Sequence, residues 1–213
     1  MIIVQPPAAG RRELRKRDRR QTIVDAARKS FLEDGYAATS MSGLLTTLGG
    51  SKATLWSYFH SKEELFAAVI EDVTTSFRTE LQEGLALTED LEATLISFCR
   101  GFMSKICAPE AVATWRLVVA ESGRFPEIGE IFFERAVRPT QAALARFLAH
   151  HVALGALVPK DAATMAEMLT SQCVGQQSRQ LWGIASPNSA ELEQRAVEFT
   201  WCFLRAYRAE RRT

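Results

Sequence analysis

No apolar run in this chain approaches the roughly 18–20 residues that a membrane-spanning helix requires, so the sequence predicts no membrane partner. The first ten residues lack the apolar core and preceding charges of a signal peptide. Cysteine is scarce. Cys99, Cys107, Cys173 and Cys202 are widely spaced, stand among apolar residues and form no C-x-x-C pair, which excludes a disulfide framework and reads as four reduced core thiols of a cytoplasmic protein. There is no G-x-S-x-G elbow, no phosphate-binding glycine loop, no H-E-x-x-H pair and no carboxylate pair on a recognisable scaffold. No catalytic residue, cofactor or metal ligand is therefore expected, and the chain does not read as an enzyme. His150 and His151 lack acidic or cysteine neighbours at metal-ligand spacing and are expected at the surface. Alternation of apolar and polar residues between turn signals is also missing, which excludes a sheet.

What remains is an all-α pattern. The 213 residues, 47% of them hydrophobic, suffice for one mid-sized domain or for a small domain plus a larger one. A formal charge of +1 hides an asymmetry. Residues 1–62 carry 11 Lys and Arg against 5 Asp and Glu, a net of +6, whereas residues 63–213 carry 15 against 20, a net of −5. A basic head on an acidic body predicts polyanion binding at one end only.

Helix signals follow one another along the chain. Residues 1–17, with two prolines and the cluster Arg11, Arg12, Arg15, Lys16 and Arg17, read as a flexible basic arm. Asp18 and Gln21 make a capping box for a first helix whose apolar positions Ile23, Ala26, Ala27 and Phe31 run to a terminator at Gly35. Ser40 caps a second helix to Leu48, Ser51 a third to Phe59, and Ser61 with Glu64 opens a long fourth. The pattern totals about nine helices. Pro126 opens a segment to His151 in which Pro139 predicts a break or kink, and Asp161 and Asn188 (with Glu191) cap the last two helices.

The string Ser51 to Leu65, S-K-A-T-L-W-S-Y-F-H-S-K-E-E-L, carries the chemistry. Two short helices joined by a glycine turn, the second rich in small polar residues, form a probe for the DNA major groove. At helical spacing Leu55 and Phe59 face inward, while Ala53, Trp56 and Ser57 face outward with Lys52 and Thr54 on the flanks. Trp56 either meets a partner or covers the small core between the helices. Tyr58, His60 and Lys62 cluster where donors can reach phosphate oxygens; His60 can equally cap a helix C-terminus. The basic arm fits entry into an adjacent minor groove, with a solubilising tail or a start codon assigned too early as the alternatives.

Residues 19–65, from R-R-Q-T-I-V-D-A-A through G-Y-A-A-T-S-M to that string, resemble the amino-terminal domain of the TetR/AcrR family of bacterial one-component regulators. The resemblance implies that Lys52, Ala53 and Thr54 approach base edges. Trp56, Ser57, Tyr58 and Lys62, with Ser40 and Ser42, would then hold phosphates. Gly50, Leu45 and Gly43 depart from the family pattern: an apolar residue is usual at the first and alanine at the second, and glycine at the third sacrifices about 1 kcal/mol of helix propensity. Further on, W-R-L-V-V-A-E-S-G-R-F-P-E-I and R-P-T-Q-A-A-L-A-R-F-L resemble the carboxy-terminal domain of the AefR-like branch, which implies a helical dimerisation and effector-binding body.

The expected organisation is therefore a basic arm over 1–17, a helix-turn-helix domain over 18–64 and an effector-binding and dimerisation domain over 65–213. Phe98, Phe102, Met103, Trp115, Met168 and Trp182 are candidate ligand-lining residues, although aromatic and methionine side chains at such spacing are more often core. No charged residue stands out among the apolar stripes, which favours an apolar or weakly polar effector. Ala162, Met165, Ala166, Leu169, Cys173 and Gly175 on the penultimate helix face a homodimer partner or an intrachain core. The same holds for Leu192, Val197, Phe199, Phe203, Leu204 and Tyr207 on the last helix. The expected function is a ligand-responsive DNA-binding regulator, a repressor more readily than an activator, that binds a near-palindromic double-stranded operator as a dimer. The rival is a helical interaction protein that binds polyanions without sequence preference.

Overall fold

The computed structural model describes residues 8–49, 51–85 and 90–209. Among the described residues there are ten α-helices and no strand: α1 (Ala8–Asp34), α2 (Met41–Leu48), α3 (Lys52–Trp56), α4 (Lys62–Gly84), α5 (Leu91–Ile106), α6 (Pro109–Glu121), α7 (Pro126–Phe132), α8 (Arg138–Ala153), α9 (Ala162–Leu181) and α10 (Ser189–Tyr207). They belong to two compact units. One is built from the chain up to Asp72 together with Leu117–Ile131, the other from Val73–Arg116 together with the chain from Phe132 onward.

In the first unit, α1 buries Ile23, Val24, Ala27 and Phe31 along one stripe. It ends where Gly35 takes φ +87°, a conformation that costs glycine little. Phe31, Tyr36 and Phe66 then form a triangle of rings with centroids 5.3–5.6 Å apart, and Phe125 meets Tyr36 edge-on at 5.2 Å. The expected flexible arm is corrected here. Residues 8–17 continue α1, because Arg, Lys, Glu and Leu are good helix formers and the one poor former, Gly10, falls in the first turn, where it interrupts nothing. Residues 1–7 lie outside the described residues. Asp18 is consequently an interior helical residue, its carbonyl accepting from the Thr22 hydroxyl at 2.9 Å, and the capping box expected there does not form.

In the second unit, α5, α8, α9 and α10 enclose a core that includes Leu95, Met103, Leu144, Phe147, Met165, Leu169, Ala196 and Phe203. The expected caps are present: Asp161 accepts from the Thr164 amide at 2.8 Å, and Asn188 and Glu191 exchange two bonds of 3.0 Å in a capping box. Behind α10, the Val158 amide donates to the Tyr207 carbonyl at 2.8 Å and Ala209 to Ala156 at 3.1 Å, fastening the end of the helix to the loop after α8. The discontinuity expected at Pro139 takes a particular form: one π-helical turn, Phe133–Val137, stands between α7 and α8. Proline lacks the amide hydrogen and crowds the carbonyl four residues earlier, and the widened turn absorbs both defects without breaking the rod. Two surface assignments change. His151 is buried, its ring 4.6 Å from that of Phe147, and Cys202 is exposed while Cys99, Cys107 and Cys173 are buried.

Candidate nucleic-acid interface and body cavity

Short-range polar contacts shape the helix-turn-helix. Ser40 caps α2 by accepting from the Gly43 amide at 2.9 Å, and a Cβ on Gly43 would lie 3.0 Å from the capping oxygen. The glycine that weakens α2 therefore leaves room for its cap. Leu45 is half-buried beside the buried Leu44, while Gly50 lies outside the described residues. At the turn, Gly49 adopts φ +62° and its carbonyl accepts from Arg19 at 2.8 Å. Ser51 caps α3 through the Thr54 amide at 3.1 Å and meets the Thr54 hydroxyl at 2.9 Å.

Helix α3 ends at Trp56, three residues earlier than expected. Tyr58 donates to Leu55 across three residues, so the last turn tightens before Phe59, whose amide still reaches the Leu55 carbonyl at 3.1 Å. Leu55 and Phe59 are buried, as their spacing requires. Ser40, Ser42, Ser51, Lys52, Ala53, Thr54, Trp56, Ser57 and His60 are exposed and Tyr58 is half-buried. Trp56 keeps 38% of its surface accessible, a costly exposure for an indole.

Lys62 is placed differently from the phosphate clamp expected of it. Its ammonium donates to the Thr39 carbonyl at 2.8 Å and lies 4.2 Å from the Tyr36 ring centroid and 5.9 Å from that of Phe125. Desolvation holds its pKa below the ordinary lysine value against the opposing pull of Glu63, Glu121 and Glu127. Burial, and then the neighbouring Glu63, raises the pKa of the Tyr36 phenol, whose hydroxyl donates to Glu63 at 3.3 Å. Glu63 is held below the usual carboxylate range by its own backbone amide and then by Ser61.

A residue the sequence reading missed completes this end of the unit. The Glu121 carboxylate accepts from the amides of Tyr36, at 2.6 Å, and Ala37, at 2.9 Å. Its Oε1 would lie 2.7 Å from a Cβ on Gly35. The turn that launches α2 is thus held by a side chain 85 residues further along the chain.

The second unit contains a cavity of about 420 Å³. Of the expected ligand-lining residues, Phe102 and Trp115 border it. The other four do not. Phe98 stacks on Phe102 at 5.7 Å and Met103 is fully enclosed, so both serve the core. Met168 and Trp182 are 49% and 75% exposed: Met168 lies opposite the buried Met165–Leu169–Cys173 stripe, and Trp182 follows the last turn of α9. The sequence reading did not anticipate the polar lining of Thr114, Thr140, Gln141, Thr170 and Gln177, nor the charged Lys105 and Glu110. Lys105 and Glu110 correct the expectation of a lining without charge. Their signal was weak because each sits at a helix end, beside rather than within an apolar stripe.

A small aromatic-cored helical unit that exposes a capped probe helix, joined in one chain to a helical unit with an internal cavity, is the architecture of a one-component DNA-binding regulator. The chain belongs to the TetR family: residues 23–69 match the bacterial regulatory proteins of the tetR family, and residues 93–209 match the C-terminal domain of AefR-like transcriptional repressors. These are transcriptional regulators, not enzymes. The chain is similar to the HTH-type transcriptional regulator BetI of Rhizobium meliloti (strain 1021), with 30% identity over 144 residues, 67% of this chain and 68% of that protein. Among solved structures, the flavonoid-responsive regulator FrrA is 31% identical with a TM-score of 0.77, over 92% of this chain and 99% of its own. A TetR-family regulator of Mesorhizobium loti MAFF303099 shares the fold at 24% identity and TM-score 0.78, over the same shares. Among the described residues no helix is long and apolar enough to cross a membrane.

Proposed function

We propose that this protein is a cytoplasmic repressor that binds a near-palindromic operator as a homodimer and is released by a small, largely apolar effector in the cavity of its second unit. The carrying observation is the exposed face of α3, where Lys52, Ala53 and Thr54 project from a firmly packed base beside the accessible Trp56. The short side chains of Ala53 and Thr54 let the backbone approach base edges, and Lys52 adds a long cationic donor beside them. Ser40, Ser42, Ser51, Ser57, Tyr58 and His60 supply hydroxyl, amide or imidazole donors at phosphate height. Lys62 acts from behind, by holding the Tyr36 and Thr39 turn on which α2 rests. The exposed Arg12, Arg15, Lys16 and Arg17 of α1 add charge against the DNA backbone.

The last two helices support the dimer. Met168, Val197 and Trp201 expose large apolar surfaces on α9 and α10, and Arg205 lies 5.1 Å from the Trp201 ring. A twofold arrangement would present two probe helices to half-sites about 34–36 Å apart. An effector weakens that match only by its difference in affinity between the DNA-competent arrangement and another. The description of FrrA as flavonoid-responsive supports an effector of drug-like size.

Selection from a random duplex pool at physiological salt tests this reading. Enrichment of a near-palindrome is the expected result. A pool that stays random while the protein is folded and dimeric would favour binding of polyanions without sequence preference.

A further inference from the structure

We infer that the cavity takes an organic anion with an apolar body, its charged end held by Lys105. This rests on the effector reading above and gives that effector a chemical class. Four aromatic walls, Phe77, Phe102, Trp115 and Phe132, border a space the size of a typical small-molecule site. The polar side chains among them are mostly committed to the protein. Thr114 donates to the Glu110 carbonyl at 2.8 Å, Thr140 to Ala136 at 3.0 Å and Thr170 to Ala166 at 2.9 Å. The Gln177 amide donates to Ala111 at 3.3 Å, and that of Gln141 points at the Thr170 hydroxyl at 3.4 Å.

With those donors occupied, Lys105 is the distinctive group. It is half-buried, lines the cavity and makes no side-chain hydrogen bond or ion pair among the described residues. Glu110, the other charged lining residue, is exposed and already has an interaction of its own. A neutral occupant would leave the Lys105 ammonium in its solvent and gain nothing from it, and a cationic one would add repulsion. An anionic end returns a charge-assisted hydrogen bond.

Two fluorescent probes separate the contributions. Anilinonaphthalene sulfonate and phenylnaphthylamine share one aromatic skeleton, and only the first carries an anion. In the full-length protein, Lys105→Met should weaken the sulfonate at least about tenfold while changing the neutral probe by less than about twofold, and Lys105→Arg should restore most of the difference. Unchanged sulfonate affinity, or equal losses for both probes, would overturn the role of Lys105. Ala111→Phe, which fills the cavity, should abolish both. Undiminished binding of both probes to a folded Ala111→Phe protein would instead remove the cavity from the effector reading.

Discussion

Glu121 illustrates how far single side chains can act in this protein. Its carboxylate holds two amides of the turn after α1, and bonds to a charged group contribute about 1.5–3 kcal/mol each in favourable settings. Glu121→Ala should therefore lower the melting temperature and weaken operator binding. Thermal denaturation followed by circular dichroism and fluorescence anisotropy of a labelled operator check the two effects. Lys62→Met should behave in the same way, losing stability through the Thr39 bond and the Tyr36 ring while leaving the salt dependence of DNA binding unchanged. A flattened salt slope would return Lys62 to the phosphates. Thr54→Ala should instead change preference among operator variants. The sign of one pH effect also follows. Glu63 has a depressed folded pKa, so its contribution to stability is present above the unfolded carboxylate value and is lost as pH falls through the folded one. The acid-induced drop in melting temperature should be shallower in Glu63→Gln than in the parent.

Elements were most legible where their determinants are local. Ser40, Ser51, Asp161 and Asn188 cap the helices predicted for them because a cap needs a partner only three residues away. Replacing Asn188 with alanine should cost about 1 kcal/mol, read as a lower denaturant midpoint with unchanged slope. Where the determinants are distant or competing, the sequence said less. The charged first turns of α1 read as an arm because nothing in them packs, yet helix propensity alone extends them from the buried part. The cavity lining escaped because threonine and glutamine carry no apolar signal. The partners of Lys62 and Glu121 are contributed by other parts of the chain. Removing residues 1–17 should leave the melting temperature nearly unchanged, since side chains 12–17 are exposed, and should reduce affinity for all duplexes with a flatter salt dependence.

At the scale of the whole molecule, the exposed apolar stripe of α9 and α10 makes assembly the first property to measure. Trp201→Arg should yield a folded monomer by sedimentation and lose cooperative operator binding; a dimer that persists would place the interface elsewhere. The head itself is not a contiguous stretch of sequence. Leu117–Ile131 returns to it, bringing Glu121 to the turn after α1 and Phe125 to the aromatic cluster. A chimera made by splicing the first 64 residues onto a foreign body would leave those two places empty. The exchangeable part for building a regulator with new operator specificity is thus a discontinuous graft, in which residues 117–131 travel with the reading head.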